Sequence, residues 1–376
     1  MKKFFSKFHL WLAVPFGIII TLICFSGAMR VFEKDIVKVM RHDQLYVDRP
    51  RHTLLPMDEI VRKVEQTLPS DVKVKDVTLF SDPELACKVS LSKPNKAAMY
   101  VDQYTGQLKG MYERPAFFNT MQRLHRWLLD SPGNGGTFWG RIIVGTSTII
   151  FVLVLLSGIV IWWPRTTRML RNSLKIKVSK GRHLLWHSLH VAGGMYALLL
   201  LLVMALTGLT WSFSWYGKGF YALFGASKTE RGTSPANGKT ATARNEKGAT
   251  EAANGQAATV YDKWQDVYET LRASNAGYSQ ITVSNGTASV AFGGWGNQRA
   301  ADKYTFDPST GRITSTTLYA DGDNSSKIRG WILSVHTGSW GGLLTRILWF
   351  IASLLGATLP LTGYYLWIRR LRRRSH

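Results

Sequence analysis

Residues 9–32 read HLWLAVPFGIIITLICFSGAMRVF, a run of mostly apolar side chains in which, histidine aside, the first charged residue is Arg30. A helix needs about 20 such residues to cross the hydrocarbon core of a bilayer, so this run predicts a transmembrane helix. A secretory signal peptide can look similar, but this run lacks a small-residue cleavage site and continues through Arg30 to Phe32. We therefore expect the helix to be retained as the first span of a membrane protein.

Three later segments have the same apolar character and complete a set of four predicted spans. They cover, in order, residues 139–163, 187–215 and 340–368. Tryptophan and tyrosine gather at the span ends, as in the interfacial belts of membrane proteins. A long loop, residues 33–138, lies between the first and second spans, and another, residues 216–339, lies between the third and fourth. The sequence thus predicts an α-helical integral membrane protein built on a four-helix transmembrane bundle.

The positive charge of the chain follows this predicted topology. The chain carries 47 lysines and arginines against 24 aspartates and glutamates, a net charge of +23. Fifteen of the basic residues fall in residues 1–8, 164–186 and 369–376, where no acidic residue occurs. If the spans alternate in direction, these segments share one side, which the positive-inside rule identifies as the cytoplasm. Both termini are then cytoplasmic, the long loops face the periplasm, and the charge indicates orientation rather than a nucleic-acid partner.

The chain repeats one plan twice. His9 and Gly27 in the first span are 18 residues apart, and His190 and Gly208 in the third span have the same spacing. The second span ends SGIVIWWPR and the fourth ends TGYYLWIRR, while LHRW precedes the second span and VHTG precedes the fourth. The loops contain MYVDQYTGQLKG and YTFDPSTGRITS at matching places. We infer an internal duplication in which the unit helix, loop, helix occurs twice.

Each long loop has the pattern of a small α+β domain. MDEIVRKVEQTL in the first loop and YDKWQDVYETLRAS in the second have the periodicity of amphipathic helices. Alternating strand patterns follow, among them VKDVTLF in the first loop and TASVAFG in the second. Residues 225–258 are small and polar without periodicity, which predicts a flexible linker inside the second loop.

Histidines cluster at the ends of the spans. Of the nine in the chain, five lie at or near a span end: His9, His125, His187, His190 and His336. A histidine there can simply be an interfacial residue, but ionisable residues in membrane spans are rare, and four of these recur at matched repeat positions. Haem iron takes axial histidine ligands, and helical bundles hold such cofactors between facing helices.

The predicted topology and helix geometry group the four repeated histidines into two predicted haem sites. Eighteen residues make five helical turns, so His9 and Gly27 share a face about 27 Å apart, and a glycine leaves room for a porphyrin. The predicted residues are His9 and His190 with Gly158 and Gly363 at an inner site, and His125 and His336 with Gly27 and Gly208 at an outer site. His187, one turn before His190, is the alternative inner ligand. A zinc or copper site is the competing interpretation, weakened because cysteine, methionine and carboxylate partners are missing nearby.

The motifs that carry these histidines resemble those of the PepSY-associated transmembrane family. They are LHRWL at residues 124–128, SVHTG at 334–338 and SLHVAGG at 188–194, with the paired VDQYTG and FDPSTG turns. The resemblance implies four helices with two PepSY-like α+β domains outside the membrane. Similar members include bacterial inner-membrane ferric-siderophore reductases, which hold two b-type haems through histidines. Carried over by motif, the ligand candidates are His9, His125, His190 and His336. The long linker and the extra His187 depart from the pattern.

The resemblance implies transmembrane electron transfer that ends in reduction of an external ferric chelate, such as a ferric siderophore. The chain contains no G-x-G-x-x-G and no other nicotinamide or flavin signature, so a quinol or a separate reductase is the expected electron donor. The alternative is a non-enzymatic envelope protein whose PepSY domains bind or restrain a peptidase or another partner. A transporter is the third interpretation, ranked last because no Asp, Glu or Lys lies deep in a span.

Overall fold

The computed structural model describes residues 1–51, 53–94, 97–131, 138–179, 181–228 and 261–373. Most of the predicted linker, together with His52 and His376, lies outside these described residues. Within them, four helical stretches are long and apolar enough to cross a membrane: Lys2–Arg30, Trp139–Trp162, Arg182–Ser212 and Ser339–Arg372. The four predicted spans are therefore confirmed as candidates by length and composition.

The helices alternate between long membrane segments and short pieces in the loops. In chain order they are α1 (Lys2–Arg30), α2 (Glu33–Met40), α3 (His42–Leu45), α4 (Met57–Glu65), α5 (Ala116–Trp127), α6 (Trp139–Trp162), α7 (Thr167–Ser173), α8 (Arg182–Ser188), α9 (Gly194–Ser212), α10 (Ser214–Ala222), α11 (Trp264–Ser274), α12 (Asn324–Thr337) and α13 (Gly342–Arg372). A five-residue π-helix, Leu189–Gly193, joins α8 to α9. Short 3-10 helices cover Tyr319–Asp321 and Ser339–Gly341.

The first and last membrane helices are longer than the apolar runs that predict them. Helix α1 begins at Lys2 and α13 continues to Arg372. Lysine and arginine are good helix formers, and arginines in the last turn of α13 interact favourably with its C-terminal dipole. The helices therefore continue into the polar region, where hydropathy gives no signal for their ends.

The four membrane helices pack around a common apolar centre. Helix α1 packs against α6 and α13, and α9 packs against the same two helices. Ile20, Leu155, Leu201 and Ala352, one from each helix, are among the buried residues of this centre. Each helix thus contributes one apolar stripe to the core and leaves its remaining apolar surface facing outward.

The two long loops build one continuous antiparallel sheet. The first loop supplies β1 (Val74–Phe80), β2 (Cys87–Leu91), β3 (Ala98–Val101) and β4 (Leu108–Met111). The second loop supplies β5 (Tyr278–Ser284), β6 (Thr287–Phe292), β7 (Ala301–Phe306) and β8 (Ile313–Thr317). The strand order is β4-β3-β2-β1-β5-β6-β7-β8, so β1 and β5 pair at the centre.

This arrangement differs from the predicted two separate α+β domains. Helices α4 and α11, one from each loop, contribute to a single buried core that also holds Val77 and Ile281 from the central strands. Full burial of a valine, leucine or isoleucine side chain is worth about 1.5–3 kcal/mol, so a shared core stabilises both loops together. Pairing β1 with β5 also removes two exposed sheet edges, which invite aggregation. The origin of the two halves by duplication stays a prediction.

The shared sheet predicts that a disulfide can be introduced between the loops. Thr78 and Thr282 are directly paired on β1 and β5, and their hydroxyl oxygens are 2.9 Å apart. We expect the double variant Thr78→Cys/Thr282→Cys to form an intramolecular disulfide under mild oxidation, because paired residues on adjacent strands lie within the range a disulfide bridges. Mass spectrometry of the non-reduced tryptic peptides detects the disulfide.

The matched control moves the second cysteine by one strand. Ser289 pairs with Thr282 from β6. It therefore lies on the same face but about 10 Å from β1, beyond the reach of a disulfide. Thr78→Cys/Ser289→Cys should stay reduced, and equal crosslinking of the two double variants would contradict the sheet order.

Candidate functional site: two histidine pairs

Four of the nine histidines meet in two pairs at opposite ends of the bundle. His9 of α1 and His190 of the π-helix lie at the end that carries both chain termini, with ring centroids 6.4 Å apart and ring planes at 83°. His125 of α5 and His336 of α12 lie at the end that faces the sheet, with ring centroids 6.1 Å apart and ring planes at 55°. We call these the terminal pair and the sheet-side pair. The structure brings together the histidines that the repeat groups; their role as ligands stays a prediction.

In the terminal pair, each imidazole is held by a different membrane helix. His9 Nδ1 lies 3.1 Å from Val154 O and 2.9 Å from Ser157 Oγ, both on α6. His190 Nδ1 makes the equivalent contacts with α13 at the same distances. The acceptors on α13 are Leu359 O and Thr362 Oγ1. Because a carbonyl oxygen only accepts hydrogen bonds, Nδ1 carries the hydrogen in both rings, and Nε2 of the neutral imidazole keeps its lone pair.

The sheet-side pair is held in the same way by the other two membrane helices. His125 Nδ1 donates to Ile23 O of α1 at 2.8 Å. His336 Nδ1 lies 3.0 Å from Met204 O and 3.1 Å from Thr207 Oγ1, both on α9. Nδ1 carries the hydrogen here too, since both carbonyls can only accept. Among the described residues, no hydrogen bond to Nε2 is found in either pair, so these nitrogens remain available as metal ligands.

A Ser-Gly or Thr-Gly motif marks each place where an imidazole docks. The carbonyl acceptor stands four residues before the glycine in every case, an offset that sequence reasoning missed. The sequence predicts that each glycine makes room for a porphyrin, whereas in the structure each lies against an imidazole from another helix, tightly at Gly27 and Gly208 and at ordinary contact distance at Gly158 and Gly363. A Cβ atom added at each glycine would approach the Cε1 atom of its histidine as follows: Gly27 and His125, 3.0 Å; Gly208 and His336, 3.1 Å; Gly363 and His190, 3.5 Å; Gly158 and His9, 3.8 Å.

The structure keeps His187, the alternative inner ligand, out of the terminal pair. His187 is exposed and stacks on His183, with ring centroids 6.3 Å apart. It lines a small groove with Lys175 and Lys177 instead. His187 lies in α8, whereas His190 lies in the π-helix that begins at Leu189, and a π-helical turn changes the face on which its residues lie. The prediction of similar faces for His187 and His190 assumes a regular α-helix.

A cavity of about 890 Å³ opens beside the sheet-side pair, within the size range of small-molecule and cofactor sites. His125, His336 and their docking glycines all line it. Three buried polar atoms in its wall lack a hydrogen-bond partner among the described residues. They are Arg30 Nε, Ser147 Oγ and Trp349 Nε1. Buried polar atoms are rarely left unsatisfied, so the wall favours an occupant with polar groups.

The sheet-side imidazoles are neutral at physiological pH. Burial, together with the positive charge of Arg30, lowers the pKa of His125 to about 3. Burial lowers the pKa of His336 to about 4. A metal ligand must be deprotonated, so both rings are ready to bind a metal. Among the described residues, no three or more His, Cys, Asp and Glu side chains lie close enough together to hold a metal ion. A structural zinc site needs four protein ligands. The pairs therefore suit a metal that brings its other ligands with it.

The backbone at the start of α6 holds α5, and thereby His125, in place. Gly140 donates its N–H to Asp130 Oδ2 at 2.8 Å, and a Cβ atom at Gly140 would overlap the backbone oxygen of Trp127. We expect Gly140→Ala to destabilise the protein by about 3 kcal/mol or more, because a backbone atom can move aside only if α5 shifts. The thermal unfolding midpoint and the monodisperse fraction of the detergent-purified protein measure the effect.

The matched control lies in the same helix. A Cβ atom at Gly158 would meet its nearest neighbour, His9 Cε1, at 3.8 Å, an ordinary van der Waals distance. Gly158→Ala should therefore fold with a yield and unfolding midpoint close to those of the unmodified protein. Equal losses in the two variants would show that α6 tolerates no added methyl group anywhere, and would contradict the specific role of Gly140.

Comparison with known proteins bears on the family rather than on the site. No curated protein sequence matches the chain. The family described as PepSY-associated TM region matches residues 6–370, a range that includes both histidine pairs and nearly all of the four membrane helices. A match over nearly the whole chain shows the family, and it confirms the resemblance that the histidine motifs carry. This membrane protein belongs to the PepSY-associated transmembrane family.

Proposed function

We propose that the protein is a haem-containing transmembrane electron-transfer protein that reduces an external ferric chelate, such as a ferric siderophore, to release Fe(II) for iron uptake. The observation that carries the proposal is the presence of two imidazole pairs at opposite ends of one bundle. Haem b at each pair would supply one-electron chemistry between Fe(III) and Fe(II). Sites at both ends of the bundle would give electrons an entry and an exit.

The spacing of both pairs would allow two histidines to hold one metal. The ring centroids are 6.4 Å apart in the terminal pair and 6.1 Å apart in the sheet-side pair. His9 and His190 would hold one haem, and His125 and His336 the other. Two histidines on one iron leave no open position, which favours electron transfer over binding of small ligands.

The remaining residues of each site orient and tune the ligands. The hydrogen bonds at Nδ1 fix the tautomer and ring orientation and raise the basicity of the ligating nitrogen. Phe151 and Leu201 are apolar walls of the cavity beside the sheet-side pair and reduce access of water. Arg30, whose Nε makes no hydrogen bond among the described residues, is the side chain in this wall best suited to a haem propionate.

The direction of electron flow follows from the proposed orientation. The termini and the loop 164–186 carry fifteen lysines and arginines and no acidic residue, which supports a cytoplasmic position for the terminal pair and a bacterial inner-membrane location. A quinol or a separate reductase would donate there. One electron converts each Fe(III) of the chelate to Fe(II) on the periplasmic side. Fe(II) has the lower charge and is held less strongly by hard oxygen ligands, so the chelate releases it.

A purely non-enzymatic role as an envelope binding protein would use the sheet and its helices. It leaves unexplained why four imidazoles dock in pairs on four different membrane helices. The paired histidines therefore favour electron transfer over the alternative of binding or restraining a peptidase.

The proposal predicts two haems that are lost pair by pair. The purified protein should show the visible spectrum of six-coordinate b-type haem, before and after dithionite. His125→Ala and His336→Ala should each remove the same one of the two haems, because each deletes one axial ligand of the sheet-side site. His9→Ala and His190→Ala should remove the other. Pyridine haemochrome quantification gives the haem content per chain.

His187→Ala is the matched control, because this histidine lies close to His190 in sequence but outside the pair. It should retain both haems. Loss of one haem in His187→Ala with no loss in His190→Ala would overturn the assignment of the terminal pair. A colourless protein purified from haem-replete cells would overturn the proposed function.

The hydrogen bond at Thr207 predicts a shift of one midpoint potential. Thr207→Val removes one of the two acceptors of His336 Nδ1 and keeps the side-chain shape. The imidazole becomes a weaker electron donor, so the potential of the sheet-side haem should rise by about 20–60 mV while the other haem is unchanged. Redox titration followed by visible spectroscopy measures both potentials.

Ser26→Ala is the control for that shift. Ser26 precedes Gly27 as Thr207 precedes Gly208, but its hydroxyl donates only to Leu22 O and Ile23 O of its own helix. The potential should change much less than in Thr207→Val. Equal shifts in the two variants would show that the hydroxyl-to-imidazole contact is not what tunes the site.

A further inference from the structure

The cavity beside the sheet-side pair is lined by an unusual number of basic side chains. The six are Arg30, Arg126, Arg141, Lys228, Arg299 and Arg329. Among the described residues, the lining contains no aspartate or glutamate. The basic residues come from α1, α5, α6, α12, the segment after α10 and the β6–β7 loop, so only the tertiary structure brings them together.

Neutral backbone groups hold one of these cations, Arg141, in place without cancelling its charge. Arg141 donates to Ser212 O at 2.9 Å and to Trp211 O at 3.0 Å. Carbonyl oxygens satisfy the donors but carry no formal charge. Arg141 therefore contributes its full positive charge to the cavity.

The deeper Arg30 is only partly compensated. Its acidic neighbour Glu33 lies 3.8 Å away, and Glu33 is itself held by the guanidinium of Arg114. Cation and anion at that distance in a partly exposed pair attract each other weakly. Arg30 thus adds to the positive potential at the level of the sheet-side histidines.

A loop of the sheet places one arginine, Arg299, at the opening of the cavity. The loop before β7 is fastened to the segment around α12, because Gly296 N donates to Trp340 O at 2.7 Å and Gln298 N donates to Ser334 Oγ at 2.9 Å. Arg299 follows in this loop and is exposed, as is Arg329 on α12. We call Arg141, Arg299 and Arg329 the arginine mouth. The same loop presents Trp295 with 81% of its surface exposed.

Neither membrane orientation nor the proposed haem accounts for all this charge. The arginine mouth lies at the end of the bundle opposite the basic termini, so it does not belong to the topological excess of lysine and arginine. A haem b carries two propionate carboxylates, which would match two of the six lining cations. Arg141, Arg299 and Arg329 are exposed where they line the cavity, on the side from which a solute would enter between the loops.

We propose that the arginine mouth binds an anionic ferric chelate, one whose iron is wrapped by carboxylate-rich oxygen ligands, in preference to a neutral or cationic chelate. The inference rests on the proposed function, because it names the substrate class of the same site. Guanidinium groups match carboxylates with two parallel hydrogen bonds, and Fe(III) favours hard oxygen donors such as carboxylates.

Binding is tested without electron transfer by using gallium(III), which has the charge of Fe(III) but is not reduced. The full-length protein in detergent is titrated calorimetrically with gallium(III) citrate, which is anionic, and with gallium(III) desferrioxamine B, which carries a free ammonium group. We expect the citrate complex to bind and its affinity to fall as salt is raised, and the cationic complex to bind at least about tenfold more weakly. Citrate without gallium controls for the free ligand.

The arginines are tested one at a time. Arg299→Gln and Arg329→Gln should each weaken gallium citrate binding by about tenfold, because each removes one charge-assisted contact. Arg312→Gln is the matched control, since Arg312 is an exposed arginine of the same sheet, in the β7–β8 turn, and does not line the cavity. An unchanged size-exclusion profile shows that all three variants are folded, and Arg312→Gln should bind as the unmodified protein does.

Three results would overturn the inference. They are equal affinity for the two gallium complexes, unchanged citrate-complex affinity in Arg299→Gln and Arg329→Gln, and binding of anionic phosphatidylglycerol at these arginines without any chelate binding. Failure of the proposed function appears separately, as the absence of a haem spectrum. A protein that shows the haem spectrum but does not bind gallium citrate would refute the proposed class of chelate and leave the proposed function intact.

Discussion

The hydrogen bond from an imidazole Nδ1 to a helix carbonyl is the interaction on which the arrangement of the bundle ends depends. It recurs four times, always on the carbonyl four residues before a glycine, and each time it joins two different helices. His125 ties the short helix α5 to α1, and His336 ties α12 to α9. Because carbonyls only accept, the same contact determines the tautomer of every ring and leaves Nε2 uncommitted.

The continuous sheet is the second constraint, and it links the two halves of the chain. Pairing of β1 with β5 places both loops over the same end of the bundle. The loop before β7 then reaches α12, where Gln298 N binds Ser334 Oγ two residues before His336. The surface that carries Arg299 and the histidine pair beneath it are therefore parts of one framework, and the proposed chelate site and the proposed electron exit adjoin each other.

Much of the fold could be predicted because local patterns carry it. The strand pattern VKDVTLF coincides with β1, a central strand in which Val77, Thr78 and Leu79 are all buried. The apolar runs locate the four membrane helices, although the first begins at Lys2 because hydropathy does not sense helical turns outside the bilayer. The Ser-Gly and Thr-Gly motifs were visible too, and the sequence grouped each glycine with a histidine pair, but it did not show which ring packs on which glycine. Nothing in one helix shows that the neighbour of Gly27 is the ring of His125 rather than that of His336.

The sequence by itself determined the four spans, the strands of each loop and the grouping of four histidines, because hydrophobic period and repeat spacing are local properties. Only the tertiary structure decided which residues meet. It joined two sets of strands into one sheet. It placed His190, which lies in a π-helix, beside His9 in the terminal pair and left His187 outside that pair. It also brought arginines from distant segments together around one cavity. These outcomes depend on long-range packing and on hydrogen bonds between elements, and neither leaves a periodic trace in the chain.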